Sequence, residues 1–199
     1  KKIFPKDKTT SFFNCCKKAV KEIETNQVIS RWSDNSGEIW DKNHTKEISD
    51  AIFFDRKEMN IGKLSKENVY KSFTSIGGDN GWFAYDFLWE IRGFIDKMIG
   101  GVGLKRGRRD QNKLRVGESL DFWKVVDVKE NERLLLYAQM KVPGNAWLEF
   151  KIEDNKLIQS AYFYPKGVLG RLYWYTLIPI HYFVFNNMIN SIIKKAAKK

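Results

Sequence analysis

Cysteine is nearly absent: Cys15 and Cys16 are the only two in 199 residues, and they are neighbours. Adjacent cysteines close a disulfide poorly, so no disulfide framework holds this chain, and a reducing cytoplasm is the compartment expected. Histidine is equally scarce, with only His44 and His181. These few cysteines and histidines lack metal-ligand spacing, and no serine sits in a G-x-S-x-G setting. No apolar run approaches the ~20 residues that a membrane-spanning helix needs. The most apolar run, Tyr173 to Phe185, has 13 residues. Lys1 to Val20 contains no apolar stretch of the kind that marks a secretory signal, and the chain starts without Met, as a fragment or processed chain would.

Aromatic and basic residues are plentiful. Aromatics make up 15% of the chain, with seven Trp, enough for a dense core or a roomy apolar pocket. Lys and Arg outnumber Asp and Glu 35 to 24, a net charge of +11. Most of the excess sits in two short patches. Lys105 to Arg115 holds six basic residues and one acid, and Lys194, Lys195, Lys198 and Lys199 close the chain. Lys105, Arg106, Arg108 and Arg109 are therefore candidates for an anion patch, with a solvated strand-and-turn face as the plainer reading. No nucleic-acid module and no aromatics interleave with them, so a nucleic acid is not an expected partner.

The chain reads as α+β. Residues 1 to about 50 are polar and irregular, with a short helix over Ser11 to Glu24 and Trp32, Gly37 and Trp40 in loop. From position 51 the pattern becomes regular. A first strand runs to Ile61, followed by a helix from Lys66 to Phe73 with Ser65 as its N-cap. A second helix fits Trp82 to Ile99, where Phe83, Phe87, Ile91, Phe94 and Met98 make one apolar stripe expected to face the core. Four β patterns follow: Ser119 to Val128, Arg133 to Val142, Ala146 to Glu153 and Leu157 to Tyr164. Their short connections predict an antiparallel meander, and Leu134, Leu136, Ala138 and Met140 alternate as if one face were buried. One long helix then runs from Val168 to about Ala197, with Pro179 inside it as an expected kink. A curved antiparallel sheet wrapped around a helix is the layout these elements suggest.

Each candidate for chemistry has a plainer alternative. Gly100, Gly101, Gly103 and Gly107 do not keep the dinucleotide spacing, and they follow a helix instead of a strand, so no cofactor site is expected in this chain. His181 lies among aromatics, where a packing role competes with catalysis. Asp86 and Glu90, one helical turn apart, are a carboxylate pair or simply surface charges. Tyr173 to Phe185 with the trailing lysines is either an interfacial anchor or a helix clasped by the sheet, and burial is preferred.

Three ordered blocks resemble a known family. The first runs from Ile76-Gly77-Gly78 through Gly81-Trp82, Leu88-Trp89, Arg92-Gly93 and Gly100-Gly101-Val102-Gly103-Leu104 to Arg106-Gly107-Arg108-Arg109. The second holds Leu114-Arg115-Val116-Gly117, Leu120-Asp121-Phe122-Trp123, Met140 and Pro143-Gly144 to Trp147-Leu148-Glu149-Phe150. The third holds Gly167, Gly170-Arg171-Leu172-Tyr173-Trp174-Tyr175, Pro179 and His181. Together, over about Phe53 to Phe185, they resemble an uncharacterised domain at the C-terminus of bacterial NAD(P)-binding proteins. Those proteins are of the atypical short-chain dehydrogenase or epimerase type, and the domain is placed with START/polyketide-cyclase-like (SRPBCC, helix-grip) proteins.

The resemblance implies a helix-grip domain over 51–199, preceded at 1–50 by the tail of an NAD(P)-binding domain that this chain lacks. It also implies a cavity between the sheet and the long helix, open to a hydrophobic small molecule. The residues expected to line it are Trp82, Tyr85, Trp89, Trp123, Trp147, Tyr173, Trp174 and His181. Three functions follow. The first is a module that holds an apolar substrate for an attached dehydrogenase-like domain. The second is a basic and aromatic surface docking on a membrane or a protein. The third is a stand-alone cyclase or dehydratase using His181 with Asp86 or Glu149.

Overall fold

Side chains from Phe53 to Asn60 alternate half-buried and exposed, the mark of a strand with one covered face. In the computed structural model, which describes residues 10–24, 48–101, 103, 108, 110 and 113–198, they form β1 (Phe53–Asn60). The chain divides into two units, residues 1–32 and 33–199. The described part of the first is α1 (Phe12–Glu24), which exposes Phe12, Phe13 and both cysteines. Trp32, Gly37, Trp40 and His44 lie outside the described residues.

The second unit is an α+β arrangement. After β1 come α2 (Lys66–Phe73) and α3 (Asp86–Met98), then β2 (Ser119–Leu120), β3 (Trp123–Lys129), β4 (Arg133–Ala138), β5 (Gly144–Glu153) and β6 (Lys156–Pro165). The long helix α4 (Gly167–Ala196) follows directly and continues through Pro179. The six strands make one antiparallel sheet in the order β1-β6-β5-β4-β3-β2. Asp154 and Asn155, both at positive φ (47° and 58°), form the two-residue turn that joins β5 to β6. Ser65 caps α2 as expected, its hydroxyl accepting from the Asn68 amide at 3.1 Å.

Three expectations need correction. The strand expected from Ser119 is broken in two, because Asp121 turns the chain at a φ of 53° before β3 begins. The central strand is covered on both faces: Leu134 and Leu136 enter the main core, while Leu135 and Tyr137 join Trp147 in a second cluster. The apolar stripe of α3 does not face the core. Phe87, Ile91, Phe94 and Met98 are exposed, Phe94 at 65% and Met98 at 72%. The helix also starts four residues later than its pattern suggested, because Phe83 and Tyr85 take positive φ values (59° and 47°) and shape a loop.

The side of α3 that meets the protein is marked by Gly93 and Asp96, both buried. The Asp96 carboxylate accepts from the Gly103 amide at 2.8 Å and the Lys141 amide at 2.7 Å. A buried carboxylate sharing two backbone donors ties α3 to the β4–β5 connection. The main core lies between the sheet and the helices, where Phe73 of α2 stacks on Phe150 of β5 and the Ser72 hydroxyl donates to the Ile192 carbonyl at 2.7 Å.

Candidate functional site

Strand alternation sends Ala146 and Leu148 of β5, and Ala161 and Phe163 of β6, toward the helical side of the sheet. Opposite them runs α4. Between them, closed on a third side by α3 and on a fourth by the Met140–Pro143 connection, lies a cavity of about 540 Å³. Tyr173 to Phe185 of α4 forms its long wall, about 18 Å at the helical rise per residue. A site of this volume with an apolar lining is the usual form of a small-molecule pocket.

Most of the expected lining residues meet here. Trp89, Trp123, Tyr173, Trp174 and His181 border the cavity. Trp174 stacks between Phe53 and Phe163 at 5.6 and 5.7 Å, which fixes its indole against the sheet. Two others, Trp82 and Tyr85, are placed elsewhere, and Trp147 borders the cavity with its ring turned away. Trp82 is buried in a neighbouring aromatic cluster, stacked on Phe122 at 5.9 Å, with its indole N–H donating to Asp121 at 2.8 Å. Tyr85 is exposed at the N-cap of α3. Trp147 borders the cavity along its strand, but its ring packs on Tyr137 in the cluster on the far face of the sheet.

His181 is the most unusual wall residue. Its ring stacks on Phe185 at 4.7 Å and meets Trp174 edge-on at 5.2 Å. The buried Nδ1 has no hydrogen-bond partner. Burial lowers its pKa to about 4, with Asp55 opposing the shift and Lys57 adding to it. The imidazole is therefore neutral near pH 7. Asp55 and Lys57, paired at 2.9 Å on β1, are inward-pointing charges on an edge strand, a feature that discourages edge-to-edge pairing. A second unpartnered polar atom, the indole Nε1 of the buried Trp123, belongs to another residue lining the cavity.

The acid partners considered for His181 do not join it. Asp86 sits at the start of α3, where its carboxylate accepts from the Trp82 amide at 2.9 Å. Glu149 is one residue out of phase with Leu148 and so belongs to the far face. There it pairs with Arg133 at 2.6 Å and accepts from the Tyr162 hydroxyl at 2.9 Å. Among the described residues no group of three or more His, Cys, Asp or Glu side chains could hold a metal ion.

The expected anion patch is corrected at the one position described. Arg108 is buried at 7% exposure and donates to the carbonyls of Thr74 (2.5 Å), Ile76 (2.8 Å) and Asp110 (2.6 Å). It clamps the chain after α2 and offers no surface charge. Lys105, Arg106 and Arg109 lie outside the described residues. A Cβ at Gly101 would strike the Asp96 carboxylate, which accepts from the Gly103 amide.

Sequence reasoning missed Arg92 and Lys141, the two cations on the cavity wall. Neither lies in a basic run, and only the packing of α3 against the β4–β5 connection brings them together.

A family model described as "Protein of unknown function (DUF2867)" matches residues 48–188. The chain belongs to the DUF2867 family. The matched span includes β1 through most of α4, and with them the whole cavity wall. No curated protein matches the chain. Among solved structures it is similar to Protein NE0264 from Nitrosomonas europaea, at 10% identity and a TM-score of 0.41, covering 77% of this chain and 99% of that one. It is also similar to CalU16 from Micromonospora echinospora, at 11% identity and a TM-score of 0.30, covering 73% of this chain and 83% of that one. Likenesses this distant say nothing of function. Among the described residues no helix is long and apolar enough to cross a membrane.

Proposed function

We propose that this DUF2867 chain is a binding module for a hydrophobic small molecule, with a helix-grip arrangement of the START/polyketide-cyclase-like kind. One observation carries the reading: a cavity of about 540 Å³ between α4 and the sheet, walled by aromatic and aliphatic side chains. In this reading the module serves a larger NAD(P)-dependent oxidoreductase or epimerase-like protein, whose dinucleotide is held by a different domain. A role in the cytoplasm is part of the same proposal.

Displacement of a bound environment-sensitive apolar dye tests it. Medium-chain alcohols and ketones should release the dye from the wild-type chain. Ala161→Phe, which places a ring where the cavity now is, should bind neither dye nor ligand while keeping its circular dichroism spectrum. Equal dye binding by both proteins would sink the cavity reading.

A second reading, docking on a membrane surface, is favoured by a specific observation. Phe87, Phe94 and Met98 of α3, and Val168, Leu169 and Leu172 of α4, are exposed apolar side chains on the two helices that border the cavity. Sedimentation with anionic liposomes, repeated as salt is raised, tests this reading. Loss of binding at high salt supports an electrostatic contribution, and no binding at low salt rejects docking.

A further inference from the structure

The charged groups on the cavity wall are of one sign. Arg92 of α3 and Lys141 of the β4–β5 connection border it, and among the described residues no Asp or Glu does. Arg92 is half-buried and donates to the Lys141 carbonyl at 3.2 Å, which draws the two residues to one place. Its charge also acts on the nearby Tyr173 hydroxyl. Burial raises the Tyr173 pKa while Arg92 pulls it down, so near neutral pH the phenol keeps its proton and can donate. The Lys141 ammonium stands beside Gly100, next to the wall residue Ile99. Among the described residues neither cation has a carboxylate within ion-pair distance. The nearby Asp96 carboxylate is already engaged by the amides of Gly103 and Lys141.

These groups gather at one end of the cavity. The Lys166 amide donates to the Pro143 carbonyl at 2.8 Å, so the connection carrying Lys141 sits against the start of α4, where Tyr173 lies. From Tyr173 the wall runs through Leu177, Ile180 and Val184 to Phe185, apolar except for the neutral His181. The site is thus a cationic end joined to a long apolar trough.

We infer that the cavity takes an amphiphile with an anionic head, of which a carboxylate is the smallest, held by Arg92, Lys141 and the Tyr173 hydroxyl with its hydrocarbon chain laid along α4. The inference rests on the cavity being a binding site, and it specifies the ligand's charge and orientation. A guanidinium and an ammonium on an otherwise apolar wall suit a carboxylate and oppose an ammonium.

Displacement of a bound apolar dye by decanoate, 1-decanol and decylammonium tests it on the full chain. Decanoate should displace at a concentration at least about tenfold lower than 1-decanol, the value of one good charge-assisted hydrogen bond, and decylammonium should be the weakest. Arg92→Gln and Lys141→Gln should each narrow the gap between decanoate and decanol. Arg92 also holds the β4–β5 connection, so its variant could disturb the fold. Lys141→Gln removes only an ammonium with no carboxylate partner, and a retained circular dichroism spectrum certifies either variant as folded. If decanol displaces the dye and decanoate does so no better, the anionic head is wrong and the cavity stands. The same conclusion follows if the Lys141→Gln variant leaves the preference intact. If none of the three displaces the dye from the wild type, the cavity reading fails and takes this inference with it.

Discussion

The two halves of α4 show one continuous helix given two tasks. The C-terminal half buries Val184, Phe185, Met188, Ile189, Ile192 and Ala196 in the main core, with Val184 and Phe185 also closing the end of the cavity. The N-terminal half buries only Gly170 and Trp174, lines the cavity with Tyr173, Leu177 and His181, and exposes Val168, Leu169, Leu172 and Tyr175. Both halves are apolar, so hydropathy alone does not separate them. The separation comes from what faces each half. The C-terminal half shares the main core with Leu134, Leu136, Leu148 and Phe150, whereas the N-terminal half packs Trp174 on Phe53 and Phe163 at the sheet edge and borders the cavity. One half is a staple and the other is a wall.

The largest effect should come from breaking the staple. Met188→Ala and Ile192→Ala remove fully buried side chains, and each should cost about 2–5 kcal/mol in urea denaturation. Leu172→Ala in the wall half should stay within about 0.5 kcal/mol. Similar losses at both ends would erase the distinction.

His181 sharpens the comparison through pH. Its folded pKa of about 4 lies below its unfolded value of 6.5, so between those values the unfolded chain binds the extra proton. Stability should therefore fall as pH drops from 6.5 toward 4, by at most roughly 3 kcal/mol from this group. His181→Phe should flatten that part of a melting-temperature profile. A profile with the same slope in both proteins would remove His181 from the account.

The junction between sheet and wall gives a smaller effect. A Cβ at Gly170 would run into the Pro143 carbonyl and Pro165, so Gly170→Ala should lower stability by about 1–3 kcal/mol. Thermal unfolding reads it directly. The smallest change in stability belongs to Leu169→Gln with Phe183→Gln, each within about 0.5 kcal/mol. That pair should still reduce liposome sedimentation if the exposed apolar faces dock, and unchanged sedimentation would leave those faces without that role.

The sequence made local features legible where local chemistry decides them. Ser65 and the Lys66–Phe73 helix, the Asp154-Asn155 turn and the short links between strands all followed from capping, turn and alternation rules. It misled where tertiary contacts decide. The stripe on α3 had the spacing of a core face, yet Asp96 and Gly93 face the protein, because a buried carboxylate pinning two loop amides sets the helix's rotation. Trp147 and Glu149 matched the resemblance, but a period of two places their side chains on the face opposite Leu148. Arg92 and Lys141 lie far apart in the chain and in no motif of charge, so only the fold makes them a pair.

Native mass spectrometry of the chain as purified, followed by denaturing extraction, tests the open cavity most directly. The account predicts a reproducible extra mass on the wild type that leaves on denaturation and is absent from Ala161→Phe. An apo wild type that gains no mass when incubated with decanoate or 1-decanol, or the same adduct on both proteins, would contradict it.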